Sequence, residues 1–275
     1  MYAVQSILHP TDFSESSADA FVHALRIAIA AKATLTIVHV ASDPDQQEWA
    51  SFPHVRETLA NWGLMKASDS IEAIHAKTGV KVIKIEMMPH DPVDAVLRYL
   101  HQHPAGLLVA ATQARQGVAR WLHGSVAEDL ARNVSAPTLF VPAEVRGFVD
   151  PARGEVRLRR VLMPVDHEPA PDEAVETAMG FAQMMSGGIA EAQLLHVGDT
   201  PPSVQLRGQT RPLPVAHRNG DVLDAVLDVA NDWSADLIAM ATAGHQGFMD
   251  ALRGSTTEQL VRQAPCPVLA VPLPR

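Results

Sequence analysis

Cysteine is nearly absent from this 275-residue chain. Cys266 stands alone, in a Pro-Cys-Pro turn before an apolar strand, so no internal disulfide and no cysteine-type metal spacing exists. It reads as a small buried side chain. Aromatic residues are 5% of the chain, and Trp49, Trp62, Trp121 and Trp233 form no stacking series. Positive charge is in the minority, with 22 Lys and Arg against 31 Asp and Glu. The net charge of −9 leaves non-specific nucleic-acid binding without electrostatic support. No apolar run approaches the ~20 residues of a membrane span. The chain enters a strand by Ile7 and meets Asp12 soon after, unlike a signal peptide. Neither GxxxxGK[ST] nor a post-strand GxGxxG occurs, which argues against a P-loop NTPase and a dinucleotide-binding fold. A cytoplasmic protein with no nucleic-acid or membrane partner is expected.

What is present is repeated. LLVAATQARQGVARWLHGSVAEDLARNVSAPTLFVP at 107–142 answers LIAMATAGHQGFMDALRGSTTEQLVRQAPCPVLAVP at 237–272, without a gap, at an offset of 130. ILHPTDF at 7–13 answers VLMPVDH at 161–167 at an offset of 154, and LTIVHV at 35–40 answers AQLLHV at 192–197 at 157. The repeat unit is domain-sized, so the chain is a tandem duplication and not a solenoid. The fall in offset from 157 to 130 means that the second half has lost about 27 residues between 198 and 220. The first half has a helical stretch over 55–78 in that region; the second has GDTPPSVQLRGQTRPLP, too short and proline-rich for the same helix.

Each half alternates apolar strands with amphipathic stretches. Strands are expected at 4–10, 35–40, 80–87, 107–112 and 137–142, then at 160–165, 192–197, 214–218, 237–242 and 267–272. This alternation of strand and helix predicts α/β architecture: two tandem open parallel sheets covered on both faces, the second shortened after its second strand. The domains are expected at 1–145 and 158–275, joined by 146–157. The basic cluster Arg153, Arg157, Arg159 and Arg160 reads as part of a solvated connection. FAQMMSG at 181–187 reads as core, Gly180 and Gly187-Gly188 as helix-end or turn glycines, and His101 and His103 as exposed.

In open α/β sheets, ligands bind beyond the C-terminal strand ends. The loop after strand one carries Thr11-Asp12 in one half and Val165-Asp166 in the other. An aspartate there suits a ribose or base, or equally a turn or helix cap. Strand two ends at His39-Val40 and His196-Val197, where backbone groups can pair with an adenine edge; the histidines themselves read as packed core, with no converging metal ligands evident in the sequence. After strand four come Gly124-Ser125 and Gly254-Ser255, each opening a helix with capping-box spacing to Glu128 or Glu258. A glycine before a helix N-terminus suits an anion; a well-capped helix is the plainer reading.

Together these residues resemble the universal stress protein family (UspA-like) in a tandem two-domain form. The resemblance implies adenine nucleotide alpha hydrolase-like, Rossmann-like domains. ATP-binding members carry Gly-x2-Gly-x9-Gly-(Ser/Thr). Here the first half has Ala111-x2-Ala114-x9-Gly124-Ser125, and the second has Ala241-x2-Gly244-x9-Gly254-Ser255. Gly244 makes the second half the better match. By resemblance, Val165, Asp166, Val197, Ala241, Gly244, Gly254, Ser255 and Thr256 would contact ATP or another adenine nucleotide, with Mg accompanying it. The degenerate counterparts are Thr11, Asp12, Val40, Ala111, Ala114, Gly124, Ser125 and Val126. The last strands, 137–142 and 267–272, resemble the edge through which family members dimerise. They are expected to pair as an internal pseudo-dimer; a homodimer between chains is compatible with the sequence but not required.

Three functions follow. The first is a stress-response regulator that binds adenine nucleotide in at least one domain. The second is a structural or signalling protein of the same fold without nucleotide. The third is a slow ATPase. No residue stands out as a catalytic base or resident metal ligand in either loop, so no dedicated catalysis is expected.

Overall fold

The computed structural model describes residues 4–41, 48–88, 91–112, 134–143, 145–188, 190–242 and 256–273. The first half contributes strands β1 (Ser6–Pro10), β2 (Thr34–Val40), β3 (Lys81–Met87), β4 (Leu107–Thr112) and β5 (Thr138–Pro142). The second contributes β6 (Arg160–Pro164), β7 (Glu191–Val197), β8 (Val215–Arg218), β9 (Leu237–Thr242) and β10 (Val268–Pro272). All ten form one sheet in the order β3-β2-β1-β4-β5-β10-β9-β6-β7-β8. The order of one half is the mirror of the other. Pairing within each half is parallel.

The halves meet where β5 and β10 run antiparallel, with Phe140 opposite Val268, Leu139 opposite Leu269 and Thr138 opposite Ala270. Leu139 and Leu269 are fully buried. Each last strand thus covers the apolar edge of the other, the pairing that the family resemblance implies.

Helix α1 (Glu15–Ala31) starts where the Ser14 side chain accepts the Ser17 N–H and ends at a left-handed Lys32. Two short helices follow, α2 (Val55–Asn61) and α3 (Ala73–Thr78), in place of one helix over 55–78. The chain turns between them at Gly63, whose φ of 72° ends the first. Helix α4 (Pro92–Gln102) is capped by Asp91 and has proline in its first turn. The second half supplies α5 (Asp172–Ser186), α6 (Val222–Asp232), capped by Asp221, and α7 (Thr256–Gln263). Gly187 closes α5 in the left-handed region, whereas Gly180 lies inside that helix and not at its end.

Both sheet faces are covered. On one, α1 and α5 lie over a large core that runs through both halves, from Ile7, Leu25 and Leu35 to Phe181, Leu237 and Leu269. On the other, α4 packs with Leu8, Val38 and Leu108, while α6 and α7 pack with Leu162, Ile238 and Val268. Cys266 is buried there, and burial pushes its thiol up to about 12, so it is unreactive.

The connection between the halves is docked. Its arginines are exposed, and Arg157 pairs with Asp150 and Glu155. Phe148, Val149 and Leu158, however, are buried in the shared core. Phe148 meets the His23 ring edge-on at 4.7 Å and Phe181 at 6.1 Å. Arg26 Nε donates to Gly154 O at 3.0 Å, and Trp62 Nε1 donates to Pro151 O at 2.9 Å. The approach is so close that a Cβ on Gly147 would lie 2.2 Å from His23, and one on Gly154 2.4 Å from Trp62. The charged composition of this stretch concealed its apolar anchors.

Candidate functional site

In each half, the strand order reverses between the first and fourth strands. The β1–β4 register covers Ile7–Leu107 and Leu8–Leu108, and the β6–β9 register Val161–Leu237 and Leu162–Ile238. Past these pairs the strands part, which is the switch-point crevice where this architecture holds ligands. The floor differs. His9 is fully buried between the strands, and its Nδ1–H donates to Val109 O at 2.9 Å. Its Nε2 has no partner, and burial lowers its pKa to about 4, so the ring is neutral. The equivalent in the second half is the buried Met163.

The loop after the first strand is held the same way in both halves. His39 Nδ1–H donates to Thr11 O at 2.8 Å, and His196 Nδ1–H donates to Val165 O at 3.1 Å. Both rings are buried, as packed core, but they also pin the loop that carries the candidate aspartate. Sequence reading missed this second role; its one signal was the recurrence of histidine at both positions.

Beyond that shared bond the halves diverge. Asp12 Oδ1 accepts from the Ser14 N–H at 3.0 Å and from the Ser14 hydroxyl at 2.6 Å, so this aspartate turns the chain into α1. Phe13 has a φ of 64° and stacks on His39 at 4.0 Å, with Phe52 against it at 5.3 Å. Glu48 meets His39 Nε2 at 2.7 Å. Thr11 also borders a cleft of about 280 Å³ lined by Phe13, Ser14, Thr58, Asn61 and Pro151, which does not include Asp12, Val40 or Ala111. The first loop is therefore packed by Phe13 from the loop itself and by Phe52 from the segment that the second half shortens.

In the second half, Asp166 is exposed and accepts only from the adjacent His167 N–H, at 2.7 Å. Helix α5 begins several residues later, at Asp172, with no side-chain cap, so Asp166 plays no part in starting it. The segment 198–214 instead folds back over α5: Gln205 N–H donates to Asp172 Oδ1 at 2.6 Å, and Val204 is fully buried. His167 stands where the first half has Phe13. Asp166, His167 and His196 converge, each offering an atom within 4.8 Å of the others. The sequence separates His196 from the other two by a whole helix; adjacency of β6 and β7 brings them together.

The half-buried Val40 and Val197 end β2 and β7, and Ala111 and Ala241 lie near the ends of β4 and β9, as the crevice reading requires. Ala114, Gly124, Ser125, Val126, Gly244, Gly254 and Ser255, the Thr256 side chain and Trp121 lie outside the described residues. Helix α7 begins at Thr256, directly after the Gly254-Ser255 pair.

The sequence model of the universal stress protein family matches residues 3–142 and 203–272. The chain belongs to the universal stress protein family. A universal stress protein of Methanocaldococcus jannaschii, MJ0531, is 29% identical over 143 residues, covering 50% of this chain and 81% of its own. One from Mycobacterium tuberculosis, Rv2005c, is 24% identical over 266 residues and 86% of both chains, so it spans both halves. The crystal structure of a universal stress protein from Archaeoglobus fulgidus superposes with a TM-score of 0.63, at 20% identity, over 96% of this chain and 95% of that one. The likeness establishes the family fold in tandem form. The stretch between the two matched regions, 143–202, holds β6, α5 and β7, which repeat β1, α1 and β2 in space. It also holds Asp166, His167 and His196. Among the described residues, no helix is long and apolar enough to cross a membrane.

Proposed function

We propose that this chain is a stress-response regulator that binds adenine nucleotide in its second half. The carrying observation is the run Ala241-x2-Gly244-x9-Gly254-Ser255, which leaves β9 at the switch point and leads into α7 at Thr256. A helix start after a glycine presents unpaired N–H groups and positive dipole to phosphate. Asp166 supports the same half: it is exposed at the mouth and free of the turn that occupies Asp12. Val165, Val197, Ala241, Gly244, Gly254, Ser255 and Thr256 complete the proposed contact set. In the first half, Ala114 replaces the second glycine, and aromatic side chains wall the loop. We take the domains as 1–145 and 158–275.

Calorimetric titration of Mg-ATP into the full chain tests this. One equivalent is expected, abolished by Gly244→Trp and retained in Ala114→Trp. Retention in Gly244→Trp would overturn the assignment to the second half. No heat and no thermal stabilisation at millimolar nucleotide would leave the family's fold serving as a scaffold without nucleotide.

A further inference from the structure

We propose that Asp166, His167 and His196, all in the second half, form a binding site for a divalent transition-metal cation of the zinc class. Two imidazoles and a carboxylate, with an open fourth position for water, are a standard ligand set for such an ion. One atom from each residue already lies within 4.8 Å of the other two. Bonds of about 2.0–2.2 Å need a further closing of roughly an ångström, and Asp166 and His167 are exposed side chains.

The surroundings of the two rings support the assignment. His167 Nε2 lies 2.8 Å from Thr200 O, and His196 Nδ1 lies 3.1 Å from Val165 O. A carbonyl only accepts, so each of these nitrogens carries a proton, and each ring keeps its other nitrogen as a lone-pair donor. Tying one ring nitrogen to a carbonyl while the other binds the ion is the usual arrangement around metal-bound histidine. Asp166 Oδ1 lies 3.8 Å from the His196 ring at Nδ1, and Gly198 backs Nε2 so closely that a Cβ there would lie 2.7 Å from it; its φ of 152° favours glycine.

The first half supplies the comparison. Asp12 and His39 occupy the equivalent positions, but Phe13 replaces His167 and stacks on His39, while Glu48 takes its Nε2. One change of residue type and the loss of the covering segment thus separate a packed loop from an open ligand set.

The site does not depend on the nucleotide reading, so its test omits nucleotide. Zinc chloride is titrated calorimetrically into chelator-treated full chain, with His167→Phe and Asp166→Asn alongside. One equivalent is expected, weakened at least tenfold in each variant, with melting temperatures of the metal-free proteins unchanged. His167→Phe is expected to keep the nucleotide affinity of the parent. Equal zinc affinity in the parent and both variants would place any bound zinc on other histidines and overturn the proposal. Absence of heat at 100-fold excess over protein would overturn it as well.

Discussion

His39 holds the carbonyl of Thr11, and His196 holds that of Val165, so one bond fixes the loop after the first strand in both halves. Around that bond the first half places Phe13, Phe52 and Glu48, whereas the second has His167, Gly198 and Asp166. Phe52 and Glu48 belong to a stretch that the second half shortens by about 27 residues, whereas Phe13 against His167 is a change of residue type in the loop itself. A duplicated frame has kept its backbone bonds while the lining of its two crevices diverged.

The most disruptive way to break the comparison is at the seam. Leu139 and Leu269 face each other across β5 and β10, both fully buried, and the core over α1 and α5 is continuous through the junction. We predict that Leu269→Ala lowers stability by about 2–5 kcal/mol, the range for truncating a buried leucine. Unfolding of both halves should remain one transition in denaturant, monitored by tryptophan fluorescence and circular dichroism together. Two separated transitions would show that each half stands alone and that the docked connection through Phe148 couples nothing.

A second prediction separates the crevice floors by pH. His9 is buried with a pKa of about 4, against 6.5 when unfolded. Between those values the unfolded chain binds the proton that the folded chain refuses, so stability falls as pH drops from 6.5 towards 4. The expected loss from this residue is about 3 kcal/mol. His9→Met copies Met163 and should flatten the profile by that amount over the same interval, measured by urea unfolding at several pH values. A parallel profile would mean that His9 is hydrated or protonated in the fold. His23 carries the same lowered value, from burial against the connection, and remains in the variant, so part of the slope should persist.

These predictions also mark what the sequence made legible. The strands and their parallel pairing within a half follow from the alternation, because burial on both sheet faces writes a continuous apolar pattern into every strand, and the seam follows from the resemblance of the two last strands to a family dimer edge. The switch-point location of Asp12 and Asp166 follows in turn. Three things did not. The helical pattern at 55–78 gave no sign that the chain would turn at Gly63. The charged connection hid anchors that depend on Gly147 and Gly154 meeting His23 and Trp62 side by side. The convergence of His167 with His196 left no mark in the sequence, because the two lie across a strand pairing, a relation carried by tertiary structure alone.

The smallest effect sharpens the comparison most, because it asks whether equivalent aspartates do equivalent work. Asp12 accepts two hydrogen bonds from Ser14, the residue that caps α1, so Asp12→Ala removes a turn and loosens a cap. A loss of about 0.5–2 kcal/mol is expected, as for other caps. Asp166 accepts one bond, from its neighbour's N–H, and starts no helix. Asp166→Ala is therefore expected to change stability by less than about 0.5 kcal/mol. It should instead weaken nucleotide binding, which Asp12→Ala leaves intact. Denaturant midpoints and Mg-ATP titration on the same pair of variants read both quantities. A matched stability loss in both variants, with nucleotide affinity untouched, would make the two aspartates plain turn residues.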